Sequence, residues 1–208
     1  MMELYSWALA NWIEVCGMLT GFIYLWFSVR QNMLTWPLGI LSSLLYIVVF
    51  FKARFYAGMG LQFYYFFISI YGWWSWMHPD SGDLDAKELQ ISRTSKELWI
   101  WIFISALSLF VIIAVFLKNF TDSPIPYWDS FTTSLSIVAT WMLARKKFEH
   151  WMLWILIDSV SIILYIFRGL YPTTILFIAY TIMAVVGYIE WQKELKKSEC
   201  HKTILNEL

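Results

Sequence analysis

Charge is scarce in this chain of 208 residues. Only 14% of it is Asp, Glu, Lys or Arg, where a soluble domain carries about 25%. With 60% apolar and 20% aromatic residues, the composition excludes a soluble globular domain and points to an integral membrane protein. Formal net charge is zero, so nothing suggests a nucleic-acid partner. Cysteine is nearly absent. Cys16 sits in an apolar run and Cys200 in the polar tail, too far apart to pair, and both are expected as free thiols. The histidines, His78, His150 and His201, are expected in loops or tail, so no metal set and no cofactor is predicted. A Walker A loop, HExxH and GxSxG are all missing, which excludes the corresponding ATPase and hydrolase chemistries. A lipid-modifying membrane enzyme would need a nucleophile and base at the interface, and none stands out. A retinal-type sensor would need an intramembrane lysine, which is also lacking. The first residues, MMELYSWALANWIEV, have an acid and no basic stretch, so the first apolar run is expected as a retained span and not a signal peptide.

What is present is apolar runs of spanning length. A span needs about 20 mostly apolar residues. Seven are predicted, at about 7–29, 35–51, 55–77, 98–117, 126–144, 151–167 and 171–191. The only long hydrophilic loop is 78–97, punctuated by Asp-Ser-Gly-Asp. Seven spans put the termini on opposite sides. Lys52, Arg54, Lys118 and Arg168 fall on the N-terminal side, and the other eleven Lys and Arg on the far side. Excess positive charge marks the cytoplasm, so the N-terminus is expected outside and the C-terminus inside.

The chain also repeats itself. Shifted by 115 residues, 12–76 falls on 127–191 without gaps. Trp26 meets Trp141, Arg30 meets Arg145, Trp36 meets Trp151, Gly72 meets Gly187 and Trp76 meets Trp191. Tyr56 and Tyr65 meet Tyr171 and Tyr180. Each copy is a three-helix unit, with the 98–117 span between them, so equivalent helices run in the same direction. The expected fold class is therefore all-α integral membrane: two parallel three-helix bundles joined by a connector helix (3+1+3). The divisions are 7–77 for the first bundle, 78–120 for a cytoplasmic loop plus connector, 121–191 for the second bundle and 192–208 for a cytoplasmic tail. Such a pair is expected to form one site at its seam.

Candidate site residues follow from polarity inside apolar helices. Trp151, Trp154, Asp158, Ser161 and Tyr165 recur every three or four residues and so share one helix face. An acid inside a span marks a functional site by default, although a packing role with a nearby hydroxyl is the alternative. Asp158 falls on Ser43 in the repeat, so the acid is not demanded by the bundle fold. Trp154 suits stacking on a flat cation, worth roughly 0.5–2 kcal/mol. Trp36 and Trp151 fit either the site or the interfacial tryptophan belt. Ser43, Tyr46, Gln62, Tyr65 and Tyr180 are candidates for polar contacts, with interhelical hydrogen bonding as the alternative. Glu14 and Asp129 fit helix capping or attraction of cations at the outer mouth. Gly72 and Gly187 fit close packing.

At TWPLGILSSLLY, FYAGMGLQFYY, IYGWWSW, YWDSFTTSLSIVATWMLARKKFEHWMLW and GLYPTTILFIAY the chain resembles the PnuC family of bacterial vitamin transporters, over about 10–191. The resemblance implies a multi-pass protein of the bacterial inner membrane, a 3+1+3 fold like that of SWEET sugar transporters, and a homotrimer. It implies uptake of nicotinamide riboside by facilitated diffusion, with a cytoplasmic kinase trapping the product, and no enzymatic activity in the chain itself. It also implies that Trp154 and the residue four positions on contribute to the substrate site. Riboside carriers of the family have an asparagine there, and this chain has Asp158. That departure leaves thiamine, another flat aromatic cation, as the alternative substrate.

Overall fold

The computed structural model describes residues 12–52, 56–78, 89–121, 123–167, 169 and 171–206. Residues 7–11 of the first expected span, Arg54, Arg168, residues 79–88 of the hydrophilic loop and the side chain of Glu14 lie outside the described residues.

Among the described residues there are seven helices: α1 (Trp12–Val29), α2 (Thr35–Lys52), α3 (Tyr56–Met77), α4 (Lys96–Phe120), α5 (Pro126–Ala144), α6 (His150–Phe167) and α7 (Tyr171–Asn206). Local chemistry sets several of their ends. Pro126 opens α5, where its missing N–H costs nothing and its fixed φ suits a helix. Ser95 caps α4 by accepting from the Leu98 amide at 3.2 Å. Among the described residues, four stretches are long and apolar enough to cross a membrane: Thr35–Lys52, Lys96–Phe120, His150–Phe167 and Thr173–Ser198. The first expected span begins at residue 7, outside the described residues, and Cys16–Val29 is its described apolar part. In α3 and α5, Tyr, Trp, Ser and Thr take the places aliphatic residues would fill.

Polarity is inverted relative to a soluble protein. Ser43, Ser69, Ser130, Ser134 and Thr140 are buried, while Ile100, Phe103, Leu107, Ile112 and Val115 of α4 are exposed. Most of the buried hydroxyls are satisfied within their own helix. Ser43 donates to the Gly39 carbonyl at 2.7 Å, Ser69 to Tyr65 at 2.7 Å and Thr140 to Ser136 at 2.7 Å. Self-satisfied polar groups inside and aliphatic groups outside are what hydrocarbon solvent requires.

The chain divides into two compact units, Met1–Glu88 and Leu89–Leu208. In the first, α1 packs on α2 and α2 on α3. In the second, α4 packs on α5, α5 on α6 and α6 on α7. The sequence sets α4 apart as a connector. In the structure it lies along α5, where Ile102 joins Val138 and Met142 in a buried cluster. Residues just before α4 are not loose either. Ser92 pairs with the α5–α6 turn, accepting from the Phe148 amide at 3.0 Å and donating to the Lys146 carbonyl at 3.1 Å. Glu149 accepts from the Thr94 amide at 3.0 Å and its hydroxyl at 2.6 Å.

The repeat extends to the backbone. Gln31 and Lys146, 115 residues apart, both have positive φ, 53° and 45°. Asn32 donates to Phe27 at 2.9 Å as Lys147 does to Met142 at 2.8 Å. Gln31 donates to Ser28 at 3.1 Å as Lys146 does to Leu143 at 2.9 Å. Both turns are the helix stop in which a left-handed residue lets two amides return to the last turn's carbonyls.

Side chains repeat as well. Trp36 is fully buried and meets Trp76 edge-on, with centroids 5.2 Å apart at 89°. Trp151 meets Trp191 the same way, at 5.8 Å and 83°. A β-carbon on Gly72 would lie 2.2 Å from the Trp36 ring, and one on Gly187 2.5 Å from the Trp151 ring. The glycines are therefore seats for indole rings.

The last helix continues into the tail, whose described residues from 192 to 200 are exposed or half-buried apart from Leu195. Trp191 and Leu195 are buried and α7 runs to Asn206. Its Glu190–Lys193 and Glu194–Lys197 pairs, each at 2.8 Å, fit the spacing of one helix face.

Candidate functional site

The face predicted on α6 is present, and it is the buried one. Trp151, Asp158 and Ser161 are buried, while Met152, Leu156 and Ile163 on the same helix are exposed. Asp158 is only 4% exposed. Among the described residues its carboxylate makes no hydrogen bond or ion pair. The packing alternative, a carboxylate held by a neighbouring hydroxyl, is not what the structure contains. Ser161 donates to the Ile157 carbonyl at 2.8 Å and Ser159 to Ile155 at 2.6 Å. Trp154, one turn before Asp158, is half-buried. It has no ring partner among the described residues, so its indole is available for stacking.

Trp36 and Trp151 are placed differently. Each ring is packed over a glycine of its own unit, and neither indole N–H has a hydrogen-bond partner among the described residues. Their observed contacts are with the packing glycines and tryptophans of their own units. His150, expected in a loop, instead begins α6 and is fully buried. Its Nδ1 donates to the Lys147 carbonyl at 2.7 Å. Its ring lies 4.4 Å from that of Trp151 and 4.8 Å from that of Trp191. The N-cap of α5, Ile125, makes no side-chain bond, and Asp129 lies in the first turn, where an acid suits the helix dipole. Asp129 accepts from the Ser123 hydroxyl at 2.5 Å and ties down the preceding loop. Thr132 bonds back to its own helix, at 3.1 Å to Trp128.

The remaining candidates fall into two groups. Tyr180 stacks edge-on with Phe177 at 5.7 Å, and Phe177 meets Tyr165 at 5.0 Å, so an aromatic row links α6 and α7. In the first unit Tyr46 closes over Gly17, 3.2 Å from where its β-carbon would be. Tyr65 lies beside Tyr64 at 5.8 Å. Gln62 is half-buried and makes no hydrogen bond among the described residues, which leaves its amide open to a ligand. Ser43 is buried, its proton already given to Gly39.

Sequence reasoning missed Tyr24. Its ring lies 3.1 Å from a β-carbon built on Gly39, and the Ser69 hydroxyl lies 2.7 Å from the same point. Gly39 is the repeat equivalent of Trp154, and the equivalents of Tyr24 and Ser69 are Ala139 and Ala184. The volumes are exchanged between the two copies: small where the other is large. Reading the three pairs together at the offset of 115 would have found it.

A family model described as nicotinamide mononucleotide transporter matches residues 11–193. The nicotinamide riboside transporter PnuC of Escherichia coli (strain K12) is 24% identical over 203 residues, spanning 87% of this chain and 85% of that protein. The riboflavin/roseoflavin transporter RibM of Streptomyces davaonensis is 25% identical over 180 residues, spanning 86% and 84%. The chain is also similar in fold to a crystal structure of the vitamin B3 transporter PnuC. That match has a TM-score of 0.74 at 21% identity and covers 94% of this chain and 87% of that one.

Proposed function

The chain belongs to the nicotinamide mononucleotide transporter family, and from that premise we propose that it carries nicotinamide riboside into the cell by facilitated diffusion. The observation that carries this reading is the pairing on α6 of a half-buried Trp154 with a buried, unpaired Asp158. A flat pyridinium stacks on the indole, and the carboxylate offsets its charge or holds a ribose hydroxyl. Tyr180, in the same unit, is a candidate for the remaining hydroxyls, and Ser43, Tyr46, Gln62 and Tyr65 are the polar candidates of the first unit. Trp36 and Trp151 act through the helix packing that they fix.

Seven spans in a 3+1+3 order, with the N-terminus outside and the C-terminus in the cytoplasm, follow from the repeat and the Lys/Arg asymmetry. The setting proposed is the bacterial inner membrane, as a homotrimer, with a cytoplasmic kinase trapping the product. Relatives in the family carry different vitamins. Riboflavin is uncharged and offers Asp158 no counter-charge, which favours a cation here.

Calorimetry on purified protein, with nicotinamide riboside and thiamine side by side, tests the substrate. Saturable binding of the riboside alone supports the proposal. Binding of thiamine alone keeps the fold and the site and replaces the substrate. Binding of neither removes the site assignment.

A further inference from the structure

The question left by that reading, on which this inference rests, is what the site selects for. Asp158 is buried, and among the described residues no hydrogen bond or ion pair reaches its carboxylate. Nearby hydroxyls are not free to neutralise it, because Ser159 and Ser161 donate to their own helix. Nor is there a basic residue to do so at that depth. No lysine or arginine occurs within 12–29, 35–51, 56–77, 98–117, 126–144, 150–167 or 171–191. The repeat equivalent in the first unit is Ser43, which donates to Gly39 at 2.7 Å. The protein thus supplies a buried acid and withholds the counter-charge.

An unpaired charge away from water is strongly disfavoured, and a well-placed opposite charge offsets much of that cost. A cationic cargo supplies the opposite charge that the described residues around Asp158 do not. Specificity is a difference between two affinities, and an uncompensated buried group lowers the affinity of the wrong ligand. Shape alone does not separate an N-ribosyl pyridinium cation from its two-electron-reduced dihydropyridine. Both have the same sugar and nearly the same ring outline, and they differ by one positive charge.

We infer that the carrier is charge-selective: it accepts the oxidised, cationic form of its pyridine riboside and rejects the neutral dihydro form. Asp158 sets that choice, and uptake is therefore selective for the redox state of the cargo. Trp154 stacks on either ring, more strongly on the cationic one.

The test is calorimetric binding of nicotinamide riboside and of its 1,4-dihydro form to the wild type and to Asp158→Asn, an isosteric neutral change. The wild type is expected to bind the cation roughly 100-fold more tightly. Asp158→Asn is expected to bring the two within about threefold of each other. Wild-type affinities within about threefold overturn the inference, while leaving the riboside-carrier reading intact. A wide ratio that survives in Asp158→Asn overturns it too, by placing the discrimination elsewhere. If the variant does not fold, as judged by thermal unfolding, the wild-type ratio alone decides. Binding of neither form to the wild type removes the substrate reading and this inference with it.

Discussion

At the scale of single residues, two tryptophans one turn apart do different work. Trp151 is buried on Gly187, while Trp154 is half-buried without a ring partner among the described residues. Trp154→Ala is therefore expected to weaken substrate binding by about 2- to 30-fold, the range of one cation–π contact. The thermal midpoint should stay close to that of the wild type. A loss of folded protein in place of a loss of affinity would contradict the assignment. Asp158 was legible in the sequence because an acid in an apolar helix is anomalous. Tyr24 was not, because a tyrosine in a span is ordinary until Gly39 is found beneath its ring. The separate fates of Trp151 and Trp154 were equally hidden. Helical spacing gives a shared face, but not the depth at which a neighbouring helix supplies a glycine.

At the scale of helices, the repeat was read from identities, and its physical content came from the structure. Trp36, Gly72 and Trp76 form one packing unit, and Trp151, Gly187 and Trp191 its copy. The sequence matched all three pairs without indicating that they touch, since residues 36 positions apart carry no local signal of contact. Gly72→Ala and Gly187→Ala each force a methyl group into a rigid ring, so each should destabilise by at least about 1–3 kcal/mol. Thermal unfolding in detergent would read this as a midpoint several degrees lower. An unchanged midpoint would mean that the ring has room to move. Gln31 makes the opposite prediction. Its positive φ of 53° strains any residue with a β-carbon, so Gln31→Gly should stabilise by about 0.5–1 kcal/mol in the same assay. The tether of Ser92 and Thr94 to the α5–α6 turn had no sequence signature, because it joins two polar segments 55 residues apart. The extension of α7 was more accessible. Glu190, Lys193, Glu194 and Lys197 are good helix formers at pairing distance, but their hydrophilicity reads first as a tail.

For the whole molecule, fold and transport class agree across composition, inverted polarity and family membership. Orientation is a separate claim, drawn from where the basic residues fall. Cys200 is exposed on α7 and Cys16 is half-buried in α1, so the natural cysteines serve as a probe. A membrane-impermeant maleimide should label Cys200 in inside-out vesicles and leave it unlabelled in intact spheroplasts. Labelling in intact spheroplasts would reverse the topology. The most direct test of the central claim is uptake of labelled nicotinamide riboside into proteoliposomes containing only this protein. The account predicts saturable uptake that, with the membrane potential held at zero, settles at equal concentrations inside and outside and is unchanged by an imposed pH gradient. Uptake no faster than in protein-free liposomes would contradict it.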